Sequence, residues 1–214
     1  MDVEIWSDFA CPWCALGLAR FDLALRDFEQ GREVRVLHRS FELDPRAPAR
    51  RERTMEEVVA ARYGMSRDFV RAGHTRLTAM GREVGVVFDF ERVQLGSTFD
   101  AHRLAQAARG EPARRAAVIR GLFSAYFAEG RLLSDHEVLR DVARTAGLDE
   151  EFTEKVLGGD AYTSEVRADE AAATELGVTG VPYFLLNGAW PVPGAQDVET
   201  MGILLRRAWS RFGH

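Results

Sequence analysis

Cysteine is scarce in this chain: only two of its 214 residues are cysteines, Cys11 and Cys14. A disulfide between residues three positions apart closes a very short loop, so it would remove little entropy from the unfolded chain. A zinc site is not expected either, because no second Cys-x-x-Cys pair is present and the five histidines are scattered. We therefore predict no metal, and we expect the two thiols to have a chemical role.

Long apolar runs and an excess of positive charge are also missing. No stretch approaches the ~18 apolar residues of a membrane-spanning helix. The first residues lack the basic start and apolar stretch of a secretory signal. The formal net charge of -5 argues against general nucleic-acid binding, which relies on basic patches. We therefore expect a cytoplasmic protein that binds neither membranes nor nucleic acid.

The two ends of the chain have the hydrophobic pattern of an α/β fold. The predicted elements are a strand over 3–6, a helix from 12 to about 31, a strand over 34–41, a helix over 163–176, strands over 183–186 and 189–192, and a helix over 196–209. Asn187 and Gly188 separate the last two strands. This dipeptide predicts a two-residue hairpin turn, because both residues accept a positive φ.

The middle of the chain, residues 54–159, has almost entirely helical periodicity. Predicted helix starts are Met55, Ser66, Ser97, Pro112, Ser134 and Asp149. Ser134 and Glu137 have the spacing of a capping box, and Val86–Phe90 is expected to be extended. The helical block thus interrupts a compact unit of strands and helices.

The pair Cys11 and Cys14 lies between a predicted strand and the helix that begins at Pro12, an arrangement typical of thioredoxin-like redox sites. The reactive species is the thiolate, and the first turn of a helix stabilises negative charge. We therefore expect Cys11 to attack a substrate disulfide and Cys14 to resolve the mixed disulfide. Pro12 stiffens the turn, and Trp13 is expected to be exposed and to contact the substrate.

These observations predict an α/β protein with a thioredoxin-like fold and a large all-helical insertion. The thioredoxin-like domain is expected to be discontinuous, formed by residues 1–53 and 160–214. The inserted helical domain is expected to span residues 54–159.

Four short segments carry a resemblance to a known family. They are Cys11-Pro12-Trp13-Cys14, Ser40-Phe41-Glu42-Leu43-Asp44-Pro45, Phe99-Asp100-Ala101-His102-Arg103-Leu104, and Gly180-Val181-Pro182 with the hairpin that follows. With them the chain resembles the DsbA family of the thioredoxin superfamily, and most of all its FrnE-like branch. That branch is related to 2-hydroxychromene-2-carboxylate isomerases and kappa-class glutathione transferases. The resemblance covers nearly the whole chain.

The resemblance implies further site residues. It implies that Pro182 is a cis-proline facing the thiols and that Val181 offers backbone groups to an extended substrate; an ordinary strand-starting proline is the alternative. Many such oxidoreductases bury an acid six positions before the first cysteine, where this chain has Ile5. Asp8 is our candidate for proton transfer in its place, and its alternative role is a loop or capping carboxylate. His102 is expected to fill a domain interface rather than to contact substrate.

The predicted function is thiol–disulfide oxidoreduction on protein or small-molecule disulfides. No cofactor is expected, apart from glutathione as a candidate thiol co-substrate. A glutathione-dependent isomerase or transferase is the alternative, but the related enzymes have serine at the first motif position, where this chain has Cys11. A binding module without chemistry is a third interpretation, which the intact Cys-x-x-Cys pair makes the weakest.

Overall fold

The computed structural model describes residues 1–213. In chain order, its elements are β1 (Asp2–Ser7), α1 (Pro12–Arg26), β2 (Arg35–Ser40), α2 (Met55–Tyr63), α3 (Arg67–Glu83), α4 (Phe99–Ala107), α5 (Pro112–Phe123), α6 (His136–Thr145), α7 (Glu150–Gly158), α8 (Thr163–Glu175), β3 (Tyr183–Leu186), β4 (Trp190–Pro193) and α9 (Val198–Phe212). A 3-10 turn at Gly31–Glu33 and a π-helical turn at Ser124–Ala128 lie between them. Within this described part of the chain, no helix combines the length and apolarity needed to cross a membrane.

The described residues form two compact units. The sheet unit comprises residues 1–43 and 167–213, and the helical unit comprises residues 44–166. The predicted α/β class with a large all-helical insertion is confirmed by this arrangement. We predicted domain limits at 53/54 and 159/160, and the limits of the compact units lie at 43/44 and 166/167.

The sheet unit contains four strands in the order β2-β1-β3-β4. Strand β1 runs parallel to β2 and antiparallel to β3, and β3 and β4 form an antiparallel hairpin. Asn187 and Gly188 make the hairpin turn with φ values of 50° and 68°, which confirms the predicted turn and its requirement for positive φ. Because β1 is central, its end is held by neighbours on both sides.

Helix α1 packs on the sheet through its apolar side chains. Phe21 contacts Phe184 of β3, with ring centroids 5.5 Å apart, and Leu16 is fully buried. The helix ends at Arg26, earlier than the predicted stop near Gly31. Beyond its end the chain turns back so closely that a Cβ on Gly31 would collide with the Leu25 carbonyl oxygen.

Most predicted helix starts in the helical unit are confirmed. Thr54, Ser66 and Asp149 each cap a helix by accepting the backbone N–H of the residue three positions later. Pro112 is the first residue of α5, where its missing N–H has no cost.

Two predicted caps in the helical unit are wrong. The N-cap of α4 is Thr98, one residue after the predicted Ser97, although the Ser97 hydroxyl accepts the Phe99 N–H at 3.2 Å. The N-cap of α6 is Asp135, whose Oδ1 accepts the Glu137 N–H at 2.9 Å. Ser134 does not cap the helix because its hydroxyl donates to the Ala49 carbonyl, a partner that is distant in sequence. Residues 86–90 belong to no helix and no strand, so the segment predicted to be extended is not part of a sheet. Their amides bond singly instead, for example from Asp89 N–H to the Phe127 carbonyl at 2.8 Å.

Candidate active site

Cys11 lies where strand β1 has ended and helix α1 begins. A tight turn precedes it, closed by a hydrogen bond of 3.1 Å from the Cys11 N–H to the Asp8 carbonyl. Cys11 is the N-cap residue of α1, with extended backbone angles, and its Sγ accepts the Cys14 N–H at 3.3 Å. The sulfur therefore occupies the position at which a helix N-terminus binds an anion.

Cys14 lies one helical turn further on and is fully buried, whereas Cys11 keeps 4% of its surface exposed. Both thiols are free. Burial raises the pKa of the Cys14 thiol well above its usual 9.0, and the hydrogen bond with Cys11 and the charge of Cys11 raise it further. A hydrogen bond with the Asp8 backbone lowers this pKa, and the charge of the Asp8 carboxylate raises it. Cys14 thus needs a proton acceptor before it can act as a nucleophile.

The proline loop, defined here as residues 178–182, contacts Cys11 directly. The Val181–Pro182 peptide bond is cis, as the resemblance implies. The Cys11 thiol donates to the Val181 carbonyl, with Sγ and oxygen 3.5 Å apart. Val181 and Pro182 thus lie beside the candidate nucleophile, with the backbone of Val181 facing its sulfur.

Asp8 is buried in the turn that precedes Cys11, with 1% of its surface exposed. One carboxylate oxygen accepts the Ala10 N–H at 3.2 Å, and the other accepts the Leu43 N–H at 2.7 Å. The Ala10 bond is the local turn role that the sequence allows for Asp8. The Leu43 bond adds a partner from the segment after β2, so the carboxylate is held in one position near Cys14.

Ile5 occupies the position where many related proteins have an acid. It lies in the middle of β1 and is fully buried, opposite His38 in β2 and Phe184 in β3. An apolar side chain suits this place in the sheet. Any carboxylate chemistry near Cys14 must therefore come from elsewhere, and Asp8 is the acid that the fold brings there.

The remaining candidates have differing surroundings. Pro12 is the first residue of α1, and Trp13 follows it with 45% of its surface exposed. The exposure is as predicted, and the contact of Trp13 with a substrate stays a prediction. His102 lies in α4 of the helical unit and is 2% exposed. Its packing role stays a prediction. Within residues 1–213, no group of three or more histidine, cysteine or acidic side chains is arranged to hold a metal ion.

Sequence reasoning missed Gly17 and Leu43. Gly17 lies within α1 at a point where a Cβ would be 2.9 Å from Cγ of Pro182. The sequence does contain a signal for Gly17, because an isolated glycine inside a helical pattern usually indicates close packing against a neighbour. Leu43 contributes only its backbone N–H, so no side-chain pattern could have indicated it.

Comparison with known proteins identifies the family. The model of the DSBA-like thioredoxin domain matches residues 2–205. The chain belongs to the DsbA-like thioredoxin family. It is thus a member of an oxidoreductase family, and the predicted thioredoxin-like fold and DsbA relationship are confirmed.

Solved structures support this assignment. A probable DsbA oxidoreductase from Streptomyces coelicolor is 43% identical, with a TM-score of 0.92 over 98% of this chain and 90% of that chain. A 2-hydroxychromene-2-carboxylate isomerase is 20% identical, with a TM-score of 0.69 over 100% of this chain and 96% of that chain. The cytosolic disulfide reductase DsbM from Pseudomonas aeruginosa is 15% identical, with a TM-score of 0.69 over 99% of this chain and 100% of that chain. The last two similarities concern the fold alone.

Proposed function

We propose that this protein is a thiol–disulfide oxidoreductase in which Cys11 and Cys14 exchange electrons with a substrate disulfide. One observation carries the proposal: the Cys11 sulfur is the cap of helix α1, and a second thiol is buried one turn behind it. The Cys14 N–H points at the Cys11 sulfur from 3.3 Å, so a donor is in place for the nucleophile. A redox pair is the chemistry that needs both sulfurs, since activation of a bound thiol would need only one such residue.

In the first step, the Cys11 thiolate attacks one sulfur of the substrate disulfide. A bond forms between Cys11 Sγ and that sulfur, the substrate disulfide bond breaks, and the other substrate sulfur leaves as a thiolate. The Val181 carbonyl, 3.5 Å from Cys11 Sγ, lies where an extended substrate can pair with the proline loop. Trp13 is exposed beside the motif and is proposed to contact the same substrate.

In the second step, Cys14 resolves the mixed disulfide. Its thiol must first lose a proton, and burial opposes this by raising the pKa. We assign the proton to the buried Asp8 carboxylate, whose charge already acts on Cys14. The Cys14 thiolate then attacks Cys11 Sγ, the Cys11–Cys14 disulfide forms, and the second substrate sulfur leaves. The substrate is reduced and the protein is oxidised.

Turnover requires an external thiol to reduce the Cys11–Cys14 disulfide. Two molecules of glutathione would supply the two electrons and leave as glutathione disulfide. In the reducing cytosol in which we propose the protein works, the pair rests as thiols. Net reduction or isomerisation of protein or small-molecule disulfides is then favoured over their oxidation.

The test uses single-cysteine variants and a fluorescent peptide disulfide. With glutathione as reductant, we expect Cys11→Ser to lower the reduction rate at least 100-fold. We expect Cys14→Ser to accumulate a mixed disulfide between Cys11 and one half of the substrate, visible as a mass increase that dithiothreitol reverses. The matched pair separates the two roles, because each variant keeps one thiol in its native surroundings.

Three results would contradict the proposal. Full turnover by Cys11→Ser would show that Cys11 is not the nucleophile. A mixed disulfide on Cys14 in that variant would show that Cys14 attacks the substrate and Cys11 resolves the mixed disulfide. Stoichiometric glutathione binding by a protein in which no Cys11–Cys14 disulfide ever forms would favour a glutathione-dependent isomerase or transferase instead.

A further inference from the structure

The proline loop is tied to helix α1 through the turn that follows strand β4. The Gly194 N–H donates to the Pro182 carbonyl at 2.8 Å. One residue later, the Ala195 carbonyl accepts Nη1 of Arg20 at 3.1 Å. Because Arg20 belongs to α1, this turn connects the proline back to the helix that carries both cysteines.

Gly17 is the point at which α1 and this turn meet the proline. A Cβ at Gly17 would lie 2.9 Å from Cγ of Pro182 and 3.2 Å from Cβ of Ala195. Neither of these two atoms is the end of a flexible side chain. The Pro182 Cγ belongs to a ring that is closed on the backbone, and the Ala195 Cβ is bonded directly to the backbone. Glycine is unfavourable inside a helix. Its presence here lets the loop lie directly on the helix backbone.

The contacts form a closed path that starts and ends on α1. From Cys11 the path crosses to the Val181 carbonyl, passes through Pro182, and returns through the turn after β4 to Arg20. Arg20 and Gly17 lie on the same helix as Cys11, so the distance from Cys11 to Val181 depends on how closely the loop approaches α1. An extended substrate that pairs with the Val181 backbone would be held beside Cys11 only while the loop keeps this distance.

We propose that Gly17 and Arg20 are positioning residues: Gly17 allows the proline loop to rest on α1, and Arg20 holds it there, so that the Val181 carbonyl stays beside Cys11. The use of this placement by a substrate rests on the proposed function. The placement itself is a property of the fold and can be measured without turnover.

The first test measures the alkylation rate of Cys11 in a Cys14→Ser background, where Cys11 is the only thiol. Cys11 is almost fully buried, so displacement of the loop should expose it. We expect Gly17→Ala to raise the iodoacetamide rate at least fivefold, and Arg20→Met, which releases the Ala195 carbonyl and removes a positive charge that acts on Asp197, to raise it about twofold.

The matched control is Gly121→Ala in α5. Its Cβ would also lie 2.9 Å from a neighbouring atom, Cγ1 of Val142, but Gly121 belongs to the helical unit. We expect its alkylation rate to stay within about 20% of the background, clearly below that of Arg20→Met, so that the control shows how much a crowded alanine loosens the fold in general. Equal rates for Gly17→Ala and Gly121→Ala would overturn the proposal. If Gly17→Ala fails to fold, an unchanged rate for Arg20→Met overturns it.

The second test separates KM from kcat in the protein with both cysteines. We expect Gly17→Ala to raise the KM for the peptide disulfide at least fivefold and to change kcat less than twofold, since the thiols remain and only substrate placement is lost. A fall in kcat at constant KM would indicate a merely structural role and overturn the proposal. If the wild type shows no disulfide reduction at all, the proposed function fails, and the alkylation rates still decide whether Gly17 and Arg20 position the loop.

Discussion

Helices α1 and α7 begin with similar backbone arrangements and differ in the atom that caps them. Cys11 and Asp149 both have extended φ and ψ, and each accepts the N–H of the residue three positions later. The acceptor distance is 3.3 Å to sulfur in α1 and 2.8 Å to a carboxylate oxygen in α7. Sulfur is a weak acceptor, so α1 has the weaker cap and gains a nucleophile at the same place.

Each of these helix N-termini also has an aspartate, in a different position. In α7 the aspartate is the exposed cap itself. In α1 the aspartate, Asp8, lies three residues before the cap, is buried, and accepts backbone N–H groups from Ala10 and Leu43. The exposed carboxylate of Asp149 stabilises its helix as the cap, whereas the buried carboxylate of Asp8 leaves the cap position to a sulfur and is, under the proposed function, the acceptor of the Cys14 proton.

Asp8→Asn is expected to have the largest effect, because it removes the proton acceptor and keeps the size of the side chain. Resolution of the mixed disulfide should slow about 100-fold, the range of general base catalysis, while the attack by Cys11 changes less than about threefold. Stopped-flow mixing with a fluorescent disulfide separates the two steps. Raising the pH should partly restore the slow step, because solvent then removes the proton from the Cys14 thiol, whose pKa is raised.

One outcome would contradict the role of Asp8 as proton acceptor. Equal slowing of both steps would mean that Asp8 acts only by shaping the turn around Ala10 and Leu43. Asp8 would then have no part in proton transfer and would be a structural carboxylate like Asp149.

Asp149→Ala tests the cap of α7 and should lower the free energy of unfolding by about 1 kcal/mol. The reason is the loss of the acceptor for the Phe152 N–H at 2.8 Å. Urea unfolding followed by circular dichroism measures the change, and disulfide reduction should stay at the wild-type rate. Asp149→Asn, which keeps a good cap, is the control and should recover most of the loss.

A smaller change in stability is expected at the cap of α1. Cys11→Ser should be more stable than Cys11→Ala by about 0.5 kcal/mol, the low end for a serine cap. The effect is small because the Cys14 N–H is shared with the Cys11 carbonyl at 3.0 Å and keeps that partner in both variants. Urea unfolding of the two variants checks the difference. If alanine were the more stable, the side chain at position 11 would not act as a cap.

The smallest effect concerns Asp100, in the first turn of α4. Burial raises the pKa of this carboxyl, but hydrogen bonds from His136 and Arg103 and the charge of Arg103 outweigh it, so the net pKa is lowered below 3.8. A lowered pKa contributes stability that is present above pH 3.8 and is lost as the pH falls through the folded-state pKa. Asp100→Asn should therefore reduce the loss of unfolding free energy below pH 3.8, as measured by urea unfolding across that range. An unchanged acid slope would mean that Asp100 does not couple protonation to stability.

Local patterns were sufficient for much of the fold. The caps Ser66 and Asp149 mark helix starts because the first backbone N–H groups of a helix need acceptors within a few residues. Pro12 and Pro112 mark them because the first turn is the place where a missing N–H costs no helical hydrogen bond. Asn187 and Gly188 predict their turn for a similarly local reason. The cap predicted at Ser134 is wrong because the Ser134 hydroxyl bonds to the Ala49 carbonyl, and no local pattern connects these two residues.

The sequence by itself determined that a pair of thiols stands at the start of a helix after a buried strand, because spacing and periodicity are properties of neighbouring residues. Only the tertiary structure decided what surrounds those thiols. The Leu43 N–H on Asp8, the Val181 carbonyl beside Cys11, and the contact of Gly17 with Pro182 all join segments far apart in the chain. Such contacts arise when the sheet aligns its strands and the helix packs on them, and no local propensity encodes them.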